Sequence, residues 1–174
     1  IPFTTLVTTM PFDVFIRLTG KKVEGLTSNK VVVFNLGFDK PSKVNSNWIY
    51  YPGDEIFYRV GFYNNIFDTD QMSLYVEIGM EKNQEFSEKY LLNKVLEDLE
   101  KVGVINGHKL IDHQMIVMNP AYVHITKQSK EIYNSWNKKN NPNGLFSIGR
   151  YGSWTYCSIE DNIIQSKELS VLLV

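Results

Sequence analysis

The chain has 174 residues, 43% of them hydrophobic and 21% charged, and a formal net charge of −1. That length supports one domain with a full core, or a domain plus part of another. The absence of a Lys/Arg stripe argues against a general nucleic-acid binder, no apolar run is long enough to span a bilayer, and the single cysteine, Cys157, excludes an internal disulfide framework and fits a cytoplasmic setting.

In chain order, the apolar stretch Ile1 to Val7 reads as a strand, and the chain opens within it without an initiator Met, as expected for the interior of a longer protein. Met10-Pro11 then leads into Phe12, Val14, Phe15, Ile16 and Leu18, a short helix with proline at its start, where the missing N–H costs least. Lys30 to Phe38 is β-branched and apolar, a strand. Trp48-Ile49-Tyr50-Tyr51 and Ile56 to Phe62 flank Pro52-Gly53-Asp54, the signature of an antiparallel hairpin. Leu74, Val76 and Ile78 alternate with polar or amphipathic neighbours, as in a half-buried strand.

Leu91, Leu92, Val95, Leu96, Leu99 and Val102 recur at helical spacing between Ser87, a cap residue, and Gly103, a stop. This predicts a helix over 87–102 with Leu91, Leu92, Val95, Leu96 and Leu99 buried on one face of a sheet formed within 26–118. Met115 to Met118 is a strand, Lys127 to Trp136 a helix, Leu145 to Ile148 a short strand, and a last helix begins near Ile159. The expected fold class is α+β: a mostly antiparallel or mixed sheet with packed helices over 1–143, then a strand–helix over 144–174 that returns into another domain.

The chemistry concentrates in that last segment. A strand ends at Gly149, where a backbone can approach a ligand closely; Arg150, a planar cation suited to phosphate, follows. A helix then starts near Ser158-Ile159-Glu160, with free N–H groups and the positive end of its dipole. Together these make an anion or polarised-carbonyl site. Ser158 is equally a plain N-cap, and Arg150 is equally able to pair with a carboxylate. Tyr122 is placed either in a pocket wall or in the core, Cys157 packs or reacts, and Arg59, mid-strand beside Tyr58, pairs across the sheet. His108, His113 and His124 lack zinc-ligand spacing, so no metal is expected.

The run Gly149-Arg150-x-Gly152-x-Trp154-x-Tyr156-x-Ser158-Ile159-Glu160-Asp161-x-Ile163 resembles the C-terminal flavin-binding signature of UDP-galactopyranose mutases. It is closer still to amine-oxidase-like and protoporphyrinogen-oxidase-like relatives, whose version reads GRYGxWxYxSMEDxI. Thr8-Thr9-Met10-Pro11, Trp48 to Pro52 with Phe57-Tyr58-Arg59-Val60, and Asn119-Pro120-Ala121-Tyr122 resemble further family elements in the same order, so the likeness covers nearly the whole chain. Ser158-Ile159 stands where many mutases have Asp-Met.

The resemblance implies a FAD enzyme whose Rossmann-like domain is built from both ends of the sequence, with a substrate domain between. Here the glycine-rich phosphate loop of the N-terminal half is absent. By this resemblance Leu145 to Ile148 is a late strand of an incomplete Rossmann-like FAD domain. Gly149, Arg150, Ser158, Ile159 and Glu160 are cofactor-binding, and Arg150, Tyr156 and Tyr122 contact the substrate. The implied partners are a small molecule such as a nucleotide sugar and the missing N-terminal half, and FAD is not expected to stay on this fragment.

Overall fold

The computed structural model describes residues 2–173. They form two compact units: residues up to Ser28 together with those from Tyr122 on, and Asn29–Ala121. The sequence expectation divided the chain at 143/144. The compact units divide it instead at 28/29 and 121/122, because the first strand pairs with the last and the first helix packs its aromatic side chains on a late one.

In the unit Asn29–Ala121, five strands run β2 (Asn29–Phe38), β3 (Trp48–Tyr50), β4 (Arg59–Phe62), β5 (Ser73–Glu81) and β6 (Leu110–Met118). Their spatial order is β3-β4-β5-β2-β6, antiparallel throughout. The Pro-Gly-Asp turn does join a hairpin, with Ile49 opposite Val60. Strand alternation then sorts the side chains. Val32, Phe34, Leu36, Val60, Phe62, Leu74, Val76 and Ile78 point into one core with Leu91, Val95 and Leu99 of α3 (Glu88–Lys101).

The helix starts as expected, with Ser87 Oγ accepting the Tyr90 N–H at 3.4 Å, and Gly103 takes the left-handed exit at φ 75°. Leu92 and Leu96 are only partly buried, against expectation. They lie one residue, about 100°, round from the 91/95/99 stripe and border the buried face. A short helix α2 (Tyr63–Phe67) follows β4. Strand β6 begins five residues before the predicted Met115, since after Leu110 and Ile111 the run Asp112-His113-Gln114 is polar and exposed at the sheet edge and breaks the apolar signal.

In the other unit, β1 (Leu6–Thr8) pairs in parallel with β7 (Leu145–Ser147). Helices α1 (Phe12–Leu18) and α4 (Lys127–Asn140) pack edge-to-face, Phe12 against Tyr133 and Trp136 and Phe15 against Trp136, in a cluster with Ile16, Leu26 and Trp154. Thr126 and Ser129 form a reciprocal capping box at the start of α4. This helix runs four residues past Trp136, because its last turn is polar on the exposed side and so shows no apolar period. A single helical turn α5 (Gly149–Gly152) and the helix α6 (Ile159–Leu172) complete the unit.

Candidate functional site

The structure brings the predicted C-terminal residues together around α5. Gly149 sits at φ 82°, a left-handed conformation that glycine adopts at least cost. Its N–H, however, is not open to a ligand. Gln165 Oε1 accepts it at 2.8 Å, and Asn162 Oδ1 accepts the Arg150 N–H at 3.0 Å. Asn162 and Gln165 lie three residues apart on one face of α6, so a single helix face holds the turn. Gln165 Nε2 also donates to Ser153 Oγ at 2.9 Å, and Asn162 Nδ2 to the Ser158 carbonyl at 2.7 Å. Sequence reasoning missed both residues; amides on a solvent-facing helix look like ordinary surface.

The turn fixes Arg150 against two aromatic faces. Its guanidinium carbon lies 4.3 Å from the Tyr156 ring centre and 5.5 Å from that of Tyr122. The two rings are within 23° of parallel, their centres 6.5 Å apart. Among the described residues no carboxylate lies within ion-pair distance of Arg150. The ion-pair alternative is therefore not realised. A cation held by π faces keeps its N–H fork for an external anion.

Below this cation, α6 opens with a capping box: Ser158 Oγ accepts the Asp161 N–H at 3.0 Å and Asp161 Oδ2 accepts the Ser158 N–H at 2.8 Å. The two Ser158 donors, backbone first, hold the Asp161 carboxyl below its ordinary range. With that donor engaged, the N–H groups of Ile159 and Glu160 are the free donors of the helix end, beside exposed side chains. Cys157 is half-buried, and its thiol donates to Asn162 Oδ1 at 3.5 Å.

In the unit Asn29–Ala121, Arg59 does pair across the sheet. Its partner is buried Glu77, directly opposite in register, which also accepts from the Tyr58 hydroxyl. Arg59 Nη1 donates to Tyr50 Oη at 3.2 Å. Burial would lower the Arg59 pKa, but the hydrogen bonds to Glu77 and Tyr50 outweigh it and raise it.

Each histidine has a local role: His108 bonds the Pro41 carbonyl, His113 approaches Glu88, and His124 bonds Thr27. Among the described residues no group of three or more His, Cys, Asp or Glu is placed to hold a metal ion, and no helix is long and apolar enough to cross a membrane.

The architecture is that of a parallel strand–turn–helix unit interrupted in sequence by an antiparallel α+β sheet unit. No protein-family model and no curated protein matches the chain. Solved structures do. A reduced UDP-galactopyranose mutase superposes with a TM-score of 0.79 at 18% identity, over 90% of this chain and 37% of that one. A protein from Exiguobacterium sp. 255-15 described as a protoporphyrinogen oxidase gives 0.69 at 14% identity, over 95% of this chain and 41% of that one. At these identities the likeness is one of fold, and this chain spans about two-fifths of the length of the structures it matches.

Proposed function

We propose that this chain is the C-terminal part of a flavin-dependent enzyme related to UDP-galactopyranose mutases and protoporphyrinogen-oxidase-like proteins, in which FAD and an anionic substrate meet at Arg150. The observation that carries this reading is the guanidinium packed on Tyr156 and Tyr122 with no carboxylate partner among the described residues. The fold likeness to a mutase and an oxidase supports it.

The residues present fit one end of such a cofactor. The Ile159 and Glu160 N–H groups and the positive end of α6 suit the electron-rich pyrimidine edge of a flavin. When bound, FAD supplies the electron-transfer chemistry. This chain's residues hold the substrate: Arg150 takes a phosphate by its bidentate fork, while Tyr156 and Tyr122 keep that fork oriented. The pyrophosphate loop and acidic ribose ligand of such proteins belong to an N-terminal half that this chain lacks, and that half is its first partner. A nucleotide sugar, used in cytoplasmic synthesis of a polysaccharide precursor, is the proposed substrate class. Ser158-Ile159 in place of the Asp-Met of many mutases favours an amine- or porphyrinogen-type oxidase as the second reading.

Two measurements test this. The chain on its own is expected to purify without the near-ultraviolet and blue absorption bands of a flavin; stoichiometric FAD on it refutes the missing half. In the full-length protein, Arg150→Lys keeps the charge but loses the fork, and is expected to weaken nucleotide-sugar binding by about 1–3 kcal/mol in calorimetric titration, with FAD content unchanged. Unchanged affinity with a lowered melting temperature makes Arg150 structural and leaves a non-catalytic binding domain as the better reading.

A further inference from the structure

The turn carrying Arg150 ends in a residue that the arginine does not use. The Thr155 N–H bonds the Arg150 carbonyl at 3.0 Å and the Trp154 N–H bonds the Tyr151 carbonyl at 3.3 Å, the paired bonds of a Schellman helix end. Such an end needs a left-handed residue, usually glycine. Trp154 fills it at φ 49°. For a bulky residue that conformation costs about 1–3 kcal/mol, so the position is held for its side chain. Burial beside Phe12, Phe15 and Trp136 accounts for the ring. It does not account for the indole N–H: Trp154 is 2% exposed, and its Nε1 is buried with no acceptor among the described residues. A buried donor is normally met by a partner.

Trp154 lines a cleft of about 280 Å³ in the same unit, together with Ile125, Lys130, Asn134, Ser153 and Thr155. Lys130 and Asn134 are one turn apart on α4 and share a face. The Tyr133 and Ser153 hydroxyls are already satisfied: Tyr133 Oη donates to the Ser147 carbonyl at 2.7 Å and lies 3.1 Å from Ser153 Oγ, which accepts from Gln165. What remains is an ammonium, an amide, the Thr155 hydroxyl and the Trp154 indole N–H, and among the described residues no carboxylate lines the cleft. The ammonium and the indole N–H can only donate, the amide and the hydroxyl can turn a donor inward, and no acid repels an anion, so the lining favours an oxyanion. We infer that this cleft, separate from the Arg150 site, binds the carboxylate or phosphate group of a small molecule through Trp154 Nε1–H and Lys130 Nζ. Its volume lies at the lower end of ligand pockets, which suits a compact anion.

The chain holds three tryptophans, so a ¹⁵N-labelled sample gives three indole N–H signals, and Trp154→Phe or sequential assignment identifies the one from Trp154. Inorganic phosphate and acetate are titrated separately at constant ionic strength, with chloride as the control. The expected result is a saturable downfield shift of the Trp154 indole signal with one or both anions, while Trp48 and Trp136 stay still. Saturation by phosphate alone identifies a phosphoryl ligand, and by acetate alone a carboxylate. Lys130→Gln, an exposed change on α4 that tests the site even where Trp154→Phe fails to fold, is expected to weaken the apparent affinity about tenfold. No saturable Trp154 shift, or the same affinity in Lys130→Gln, overturns the proposal.

Discussion

At the scale of single residues, Gly144 and Asp98 show how much rests on one atom. Gly144 is left-handed at φ 75°, and a Cβ there would lie 2.2 Å from the Thr4 carbonyl oxygen. That oxygen is backbone, beside the β1–β7 pairing, and cannot swing aside. Gly144→Ala is therefore expected to cost about 2–4 kcal/mol by urea denaturation, more than the left-handed penalty alone. Asp98 is buried on α3. Burial alone would raise its pKa, but the Ile56 N–H at 2.8 Å and the Lys94 ammonium at 3.0 Å outweigh that and lower it. A depressed folded pKa gives stability that is present above the unfolded value, about 3.9, and lost as pH falls through the folded one. The stability gap between wild type and Asp98→Asn is expected to be full above about pH 5 and to close at lower pH; a gap constant with pH counts against it. The sequence made Arg150 legible as a cation after a strand end, but not what holds it. Its two tyrosines are 28 residues before and 6 after it, and only the fold shows both rings against it. Glu77 was likewise invisible, since alternation places it outward and only the register opposite Arg59 buries it.

At the scale of elements, legibility followed the strength of the local pattern. The α3 stripe and the Pro-Gly-Asp hairpin carry their own periodicity and turn chemistry, and both stand in the structure. The first half of β6, interrupted by Asp112-His113-Gln114, and the single turn α5 carry no sustained pattern: the first takes its backbone partners from β2, and the second is held by side chains of α6. Helix α6 is a different case. Its start was legible from Ser158 and the acidic first turn, yet its apolar residues fall on several faces, with Ile159, Ile163, Val171 and Leu172 all mostly exposed. Here its stability rests heavily on its cap. Ser158→Ala removes the acceptor of the Asp161 N–H and is expected to lower the melting temperature by the equivalent of about 1 kcal/mol. The same substitution should bring the Asp161 pKa up toward its ordinary range, because the hydroxyl donor is gone while the Ser158 backbone donor stays. An unmoved side-chain ¹³C titration of Asp161 contradicts that cause.

At the scale of the whole molecule, the two units differ in how the chain builds them. The first is discontinuous: β1 comes from the start of the chain, β7 from near its end, and nothing in composition marks 28/29 or 121/122, since β2 begins directly after Ser28. That is why the sequence placed its division at 143/144, where turn residues and a new strand are visible. The second unit is continuous. All five of its strands pair within it, and every member of its core, from Val32 to Met115, lies inside Asn29–Ala121. A five-stranded antiparallel sheet contained within one continuous stretch of chain, with one helix covering its apolar face, meets the requirements for independent stability, whereas a two-stranded parallel pair does not. Residues 29–121 expressed alone are therefore expected to unfold in one cooperative urea transition, with dispersed amide NMR signals and slow exchange in β2 and β5, the central strands. Residues 2–28 joined by a short linker to 122–173 are expected to lack that cooperativity, because their sheet has only two strands and α6 exposes its apolar side chains. A non-cooperative 29–121, or a cooperative joined piece, would show that the stability of this chain is not divided along its chain topology.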